Sequence, residues 1–444
     1  MKVAHEVKLS FCNFMNSISM RAVFSLWLLM IVFSFCAFAQ KPIKDLKPTV
    51  ILISLDGFRY DYLDKFKPRT LSKLSRNGVR AKWMIPSFPT KTFPNHYTVA
   101  TGLYPEHHGI IENNIYDFGT VFSLGKREEV QNSRWWLGEP IWVTAEKQGQ
   151  KAGAFFFPGT EAEIMGKRPT FWKEYDGKIP NEPRVDQILN WLDLPRNERP
   201  TLFTLYFSDT DDAGHGFSPD SDELKKAVEK VDENLKRLVD GLKKRKIFKK
   251  VNLIIVSDHG MALVKPENAV LMDDYFDFDL TERILWTGEI VQIFPKEAQE
   301  NFILENLKSI HHAVCWKKSD IPARLNYRDS PRIAPIVCSA EEGWFMTSRE
   351  RVESQKKREG SGRIRGAHGY DNKYQSMQAT FIAHGKAFKK GFVAEPFENI
   401  QVYNLMCSIL GLRPAQNDGD YEKIKFLLKN PKPLPNEVNT IDKN

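Results

Sequence analysis

Thr49-Val50-Ile51-Leu52-Ile53-Ser54-Leu55 runs straight into Asp56-Gly57, an apolar stretch that stops on a carboxylate and a turn residue. A strand that is apolar at nearly every position must be buried on both faces, the condition of a strand inside a parallel sheet covered by helices on either side. The same pattern recurs twice. Leu202 to Phe207 runs into Ser208-Asp209-Thr210-Asp211, and Val251 to Val256 runs into Ser257-Asp258-His259-Gly260. Between these two, Asp222 to Lys244 carries Leu224, Ala227, Val228, Val231, Leu235, Leu238 and Leu242 at helical spacing, so a crossover helix joins them. Alternating strands and helices specify an α/β fold with a mostly parallel central sheet. In open sheets of this kind ligands gather beyond the carboxyl ends of the strands, and all three runs put carboxylates there.

Outward from these strands the pattern changes. From about Ala262 to Arg365 it loosens, with Pro266, Pro295, Pro322, Pro331 and Pro335 and a charged run at Arg349 to Glu359. Residues 262–365 read as an inserted smaller subdomain, between a first part of the core at 40–261 and a last part with a C-terminal extension at 366–444. The chain returns to the main sheet near Gln378 to Ala383. At the other end, Lys2, Lys8 and Arg21 precede the apolar run Ala22 to Phe35 and the small residues of Ala37-Phe38-Ala39. That is the layout of a secretory signal over residues 1–39, which predicts a periplasmic or secreted protein with no membrane contact after cleavage.

The formal net charge of +8 falls to +6 when the leader's Lys2, Lys8, Arg21 and Glu6 are set aside. Such mild basicity, spread along the chain, suits a small anionic substrate and predicts no stable nucleic-acid complex. Beyond the leader only Cys315, Cys338 and Cys407 are present, too few for a disulfide scaffold, with Cys315 and Cys338 as a candidate bridge across a strand pair. No Asn-x-Ser/Thr acceptor occurs, and with so few cysteines the chain reads as bacterial rather than animal.

A phosphoryl-transfer site with two divalent metals needs carboxylate and imidazole ligands on rigid strand ends. Asp56 ends the first run, Asp211 and His215 stand four apart after the second, and Asp258-His259 end the third. His368, in Gly366-Ala367-His368-Gly369-Tyr370-Asp371, completes three His and three Asp. All fall in polar, Gly-containing segments read as loops, where a core histidine is not expected. His96, His107, His108, His311, His312 and His384 lack this arrangement and read as structural. Pro86 to Tyr97 reads as a loop entering a helix, with Thr92 at the N-cap and Pro94 tolerated in the first turn. Thr92 either caps the helix or supplies a nucleophilic hydroxyl beside an anion-binding helix start.

The stretch Thr90-Lys91-Thr92-Phe93-Pro94-Asn95-His96-Tyr97, continued by Thr101-Gly102-Leu103-Tyr104-Pro105-Glu106-His107-His108-Gly109-Ile110 and Asn113, resembles the nucleotide pyrophosphatase/phosphodiesterase (NPP) family of the alkaline phosphatase superfamily. The likeness extends from about Val50 to about Leu412 through Gly138-Glu139-Pro140-Ile141-Trp142, Phe157-Pro158-Gly159-Thr160 and Tyr403-Asn404-Leu405-Met406. It implies an alkaline-phosphatase-like fold with helices on both faces of the sheet and two Zn2+ ions. Asp56, Asp258, His259 and the nucleophile Thr92 would bind one ion, and Asp211, His215 and His368 the other. Asn113 would donate to a nonbridging phosphate oxygen, helped by the Thr92 N–H. Phe93 and Tyr206 would sandwich a nucleobase, with Tyr175 lining the same pocket. The implied reaction is hydrolysis of nucleotide phosphodiester or phosphoanhydride bonds in two in-line displacements through a threonyl-nucleotide intermediate, with net retention at phosphorus.

Animal members of the family carry cysteine-rich and nuclease-like modules for which this chain has no room, so the expected type is the compact bacterial one. The segment Ala415-Gln416-Asn417-Asp418-Gly419-Asp420 also departs from the family's usual continuation there. Two other readings stay open: a lysophospholipase or choline-phosphodiesterase type using the same zinc pair, and a zinc-stabilised binding protein without catalysis.

Overall fold

Alternate residues of the first apolar run enter different cores. In the computed structural model, which describes residues 42–359 and 364–435, strand β1 (Val50–Leu55) sends Val50 and Leu52 into one buried cluster and Ile51, Ile53 and Leu55 into another. The remaining strands of its sheet are β2 (Val79–Ala81), β3 (Ala152–Phe155), β4 (Phe171–Lys173), β5 (Leu202–Phe207), β6 (Asn252–Val256), β7 (Phe381–Gly385) and β8 (Phe392–Ala394). Their order is β8-β2-β7-β6-β1-β5-β3-β4. β1 pairs in parallel with β5 and β6 on its two sides, and only β7 runs against its neighbours. The expected signal segment, 1–39, lies outside the described residues.

The helices that matter here are α1 (Arg69–Arg76), α2 (Thr92–Thr101), α3 (Asn181–Leu192), α4 (Asp209–Phe217), α5 (Asp222–Lys244) and α6 (Gln401–Leu410). α1, α3 and α5 cover one face of the sheet, where Leu224, Val228, Val231, Leu235 and Leu238 of α5 are buried with Leu74 and Ile188. α2 and α6 cover the other through Tyr97, Val99, Val402 and Leu405. The crossover helix has the bounds that its apolar spacing implies, because Ser221 caps it: Ser221 Oγ accepts the Leu224 N–H at 3.1 Å.

Between Ala262–Val264 and its antiparallel partner Arg365–Ala367 the chain builds a separate four-stranded sheet. Strands Thr281–Trp286, Ile290–Pro295, Ile336–Ala340 and Ala313–Lys317 lie side by side in that order over their own apolar cluster. Cys315 and Cys338 face each other across the last pair and are joined by a disulfide, while Cys407 is free and buried. Among the described residues no helix is long and apolar enough to cross a membrane.

Candidate active site

Parallel pairing brings the ends of β1 and β6 together, and with them Asp56, Asp258 and His259. His259 Nε2 lies 3.0 Å from Asp258 Oδ2 and 3.4 Å from Asp56 Oδ1. Beside this group, His368 Nε2 lies 3.1 Å from His215 Nε2 and 3.6 Å from Asp211 Oδ1, and His215 Nε2 lies 3.4 Å from that same oxygen. The rings of His259 and His368 stack at 3.5 Å, so the two triads share a wall. All six residues named from the sequence therefore converge, and the two triads are candidate metal-binding clusters.

Each of the three histidines spends its Nδ1 hydrogen on a backbone carbonyl: His215 on Gly366 O, His259 on Gly260 O and His368 on Thr90 O. Their Nε2 atoms are left as bare acceptors, aimed at carboxylate oxygens and at one another. Asp56 Oδ1, Asp211 Oδ1 and Asp258 Oδ2 are buried with no hydrogen-bond donor. Three buried carboxylate oxygens without a donor, with imidazole acceptors beside them, are costly unless a cation sits among them. The spacing fits one, because ligands bonded at 2.0–2.1 Å around a tetrahedral ion are about 3.3 Å apart. The second ring nitrogen held by a carbonyl is also how metal-binding histidines are oriented.

The charges lead the same way. Burial, together with repulsion from Asp258 and Asp211, raises the Asp56 carboxyl well above its ordinary range. Without a cation, burial also pushes Asp258 up, but the positive charge that His259 and His96 carry when protonated more than offsets it and holds that carboxyl low. Burial lowers His259, while Asp258 and Asp211 outweigh that and raise it; a bound cation takes the place of the Nε2 proton. Burial and the neighbouring rings of His259 and His215 drive His368 well below the usual imidazole range, in the form that can bind a cation.

Thr92 begins α2, and its Oγ1 lies 3.3 Å from His259 Nε2. The cap residue is Lys91, one position earlier than the sequence suggests, and the Thr92 hydroxyl caps nothing. Asn113 is fixed by its Oδ1, which accepts the Phe93 N–H at 2.9 Å, so its amide NH2 is free to donate elsewhere. His96, read from the sequence as structural, is buried against this centre: Nδ1 is 2.8 Å from Thr92 O and 3.3 Å from Asp258 Oδ2, and Nε2 is 2.7 Å from Ser54 Oγ.

Sequence reading also missed the braces of the Thr92 loop. Lys91 forms a buried ion pair with Glu289 at 2.7 Å. Glu112 is fully buried, accepts the N–H groups of Asn113 and Asn114, and accepts the Thr287 hydroxyl at 2.9 Å. Thr287 and Glu289 belong to the turn between Thr281–Trp286 and Ile290–Pro295, so the second sheet reaches the base of the loop. A sequence separation of 198 residues hides the Lys91–Glu289 pair; the signal was Lys91 standing beside Thr92.

A cavity of about 210 Å³ opens over these groups, lined by Asp56, Thr92, Phe93, Tyr175, Tyr206 and Asp211 among others. Phe93 is held between Phe122 and Trp136, at 5.9 and 6.0 Å. The two tyrosines differ in exposure. Tyr206 is only 8% exposed, and its hydroxyl donates to Asp56 Oδ2 at 2.6 Å. Tyr175 is 38% exposed, packs edge-on to Tyr206 at 6.2 Å, and has Arg127 over its ring. Asp211 and His215 also sit otherwise than expected: they lie one turn apart on α4, not in a loop, which puts both on one face.

Residues 50–371 match the family described as type I phosphodiesterase / nucleotide pyrophosphatase. The chain is 43% identical over 397 residues to the venom phosphodiesterase CdcPDE of Crotalus durissus collilineatus, covering 86% of this chain and 46% of that protein. It is 40% identical over 398 residues to human ectonucleotide pyrophosphatase/phosphodiesterase family member 1, covering 86% of this chain and 42% of that protein. It thus spans a little under half the length of these curated relatives. Murine ectonucleotide pyrophosphatase/phosphodiesterase 5, solved as an inactive variant in complex with AMP, superposes with a TM-score of 0.80 at 33% identity, covering 86% of this chain and 100% of that one.

These relatives correct the reading of a bacterial-type enzyme, since the likeness is to animal proteins. Glycosylation acceptors and extra cysteines are surface and linkage traits that vary without touching the sheet or its carboxyl edge, so their scarcity says nothing of lineage. The fold is the alkaline-phosphatase-like α/β fold of those relatives. By sequence over most of its length and by structure, the chain belongs to the type I phosphodiesterase / nucleotide pyrophosphatase family.

Proposed function

We propose that this chain is a secreted, zinc-dependent phosphodiesterase that cleaves phosphodiester or phosphoanhydride bonds of nucleotides through a covalent threonyl intermediate. The observation that carries the reading is the pair of acceptor triads at tetrahedral spacing with the Thr92 hydroxyl 3.3 Å from one of them. Asp56, Asp258, His259 and Thr92 would hold one ion, and Asp211, His215 and His368 the other. Sets that each include imidazole favour zinc over magnesium or calcium. When bound, the two ions supply the positive charge that lowers the pKa of a hydroxyl and neutralises a leaving oxygen.

The protein's own groups do the rest. Thr92 Oγ1 attacks phosphorus in line, its proton passes to water, and the bond from phosphorus to the leaving oxygen breaks as the threonyl ester forms. Water then attacks from the opposite side, and the ester bond breaks as Thr92 regains a proton. Asn113, with its carbonyl end pinned by Phe93 N–H, turns its NH2 to a nonbridging oxygen. Being neutral, it suits the single charge of a diester. The aromatic cavity takes the attached group. Tyr175, with an open face, is the ring that closes over a base opposite Phe93, and stacking of that kind is worth about 1–3 kcal/mol per base. Tyr206 braces Asp56 instead. The AMP bound by the murine relative supports a nucleotide in this pocket. The Cys315–Cys338 bridge supports an oxidising compartment, and the venom relatives point outside the cell.

The test compares zinc-loaded wild type and Thr92→Ala on the p-nitrophenyl ester of a nucleoside monophosphate and on p-nitrophenyl phosphorylcholine. The nucleotide ester should turn over faster, and the variant should lose turnover of both while keeping its zinc. Preference for the choline ester would replace the nucleotide by a choline substrate. Failure of the fully loaded wild type on both would leave a binding protein.

A further inference from the structure

At the opposite end of the sheet from the Asp and His groups lies a second cleft, of about 410 Å³. Its walls carry six lysines, Lys73, Lys243, Lys249, Lys386, Lys390 and Lys429, and not one Asp or Glu. They arrive from four separated parts of the chain: the last turn of α1, the end of α5 with the connection that follows, the segment after β7, and the C-terminal segment. All six are exposed. Among the described residues, only Lys243 has a carboxylate partner, Asp240 at 2.9 Å. Six of the basic residues that look evenly scattered along the sequence, all but Lys243 without a carboxylate partner among the described residues, are thus gathered in one concavity.

The floor adds a polar group with nothing to bond. His384, at the end of β7, stacks on Phe248 with ring centroids 4.9 Å apart and planes at 16°. Its Nδ1 is buried and has no hydrogen-bond partner. Burial, with the charges of Lys390 and Lys429, keeps this ring below the ordinary imidazole pKa. The walls further offer the amide of Asn77 and the hydroxyl of Thr70. Donors surround the space, and no carboxylate competes for them, which is the complement of a ligand that only accepts. Lysine ammonium groups act as compact point charges, without the planar fork with which arginine grips a single carboxylate or phosphate. The volume is that of a small-molecule pocket, not of the long groove that tracks a nucleic-acid backbone.

We propose that this lysine-walled cleft binds a small, multiply charged oxyester, a compact molecule bearing clustered phosphate or sulfate groups. The site is separate from the catalytic end. His384 pairs with Leu253, at the start of β6, and five residues of extended chain, roughly 16 Å, separate Leu253 from Asp258. The inference does not rest on the proposed reaction and survives if that reading fails.

Calorimetric titration of the zinc-loaded protein, in zinc-buffered solution at physiological salt with excess AMP to fill the catalytic pocket, tests it. The probes are myo-inositol hexakisphosphate and sucrose octasulfate. At least one should bind below millimolar concentration with one site per chain, and the tighter of the two names the ester class. Lys390→Ala/Lys429→Ala should weaken that binding by about tenfold or more, whereas Lys225→Ala/Lys226→Ala, which removes the same charge from an exposed stretch of α5, should change it little. Turnover of the chromogenic nucleotide ester should be the same in both variants. The proposal is overturned if neither probe binds, if the two double variants weaken binding equally, or if AMP displaces the probe.

Discussion

The two triads at the carboxyl end of the sheet are alike in chemistry and unlike in setting. Asp56, Asp258 and His259 are closed off, with side chains at most 2% exposed. They stand on the ends of two central strands, and other side chains brace them: Tyr206 on Asp56 and His96 on Asp258. Asp211 and His215 stand instead on a nine-residue helix, His215 is 39% exposed, and the supports of His215 and His368 are the backbone carbonyls of Gly366 and Thr90. One cluster belongs to the core of the fold, while the other is a lip added to it. The lesson is that two acceptor triads at one edge of a sheet, one richer in carboxylate and the other in imidazole, need not matter equally to folding.

The largest test of this contrast pairs Asp258→Ala with His215→Ala. The first removes a buried carboxylate from beside two histidines and should cost about 3–5 kcal/mol of stability together with all activity. The second should also abolish turnover but cost about 1 kcal/mol or less. Denaturant unfolding of both variants, with metal content measured alongside, decides it, and equal losses of stability would erase the distinction.

A smaller effect should appear in Tyr206→Phe. Loss of its hydrogen bond to Asp56 should weaken metal retention in the closed cluster by about 10–100-fold, the usual range for a partner of a metal ligand, and leave the open cluster as it was. Competition with a graded series of chelators reads the two ions separately. Wild type should release the ion of the open cluster first. In Tyr206→Phe the two releases should draw together.

Glu289→Gln probes the brace that reaches both clusters from the second sheet. It leaves Lys91 buried beside a neutral amide and should lower kcat by about tenfold with KM little changed, since the loop that carries Thr92 is displaced and the aromatic pocket is not. A rise in KM alone would assign Lys91 and Glu289 to substrate binding.

A last test, away from both triads, separates acid damage to the fold from acid loss of the ions. His108 is fully buried, hydrogen-bonded to Thr98 Oγ1, and its pKa is lowered by burial to about 3. Above about pH 6.5 the ring is neutral whether the chain is folded or not, so it contributes nothing to the pH dependence. As pH falls below that value the unfolded chain takes up a proton that the folded one refuses. Stability should therefore drop by about 1.4 kcal/mol for each pH unit, down toward the folded pKa. Other histidines add their own slopes in the metal-free protein, His368 and His384 with the same sign and His259 with the opposite one. His108→Gln should therefore lessen the fall in unfolding stability between pH 6.5 and 5 by about 1.4 kcal/mol per pH unit rather than abolish it.

What was legible in the sequence was whatever a strand or helix period encodes locally. Continuous apolar runs can only be strands covered on both faces, and the residues that stop them necessarily fall at one edge of the sheet, which is why Asp56, Asp258 and His259 could be named. The period of Asp222 to Lys244 could hardly mean anything but a helix. The segment Asp209 to Phe217 misled for the opposite reason, since its three aspartates and two glycines argue against a helix that packing nonetheless imposes. Pairings between distant side chains, such as Lys91 with Glu289 or the six lysines of the rear cleft, leave no local trace. The relative openness of Tyr175 and Tyr206 depends on what covers each ring, which no spacing reveals.

The turn that carries Thr287 and Glu289 has a consequence for anyone wishing to recombine this chain with its relatives. Because that turn ends beneath the loop that carries Thr92, the four-stranded sheet is not a detachable ornament. A chimera that exchanges residues 281–340 must bring a hydroxyl and a carboxylate to the same two places, or it will inherit a correctly folded scaffold whose Thr92 hydroxyl is displaced from the two acceptor triads.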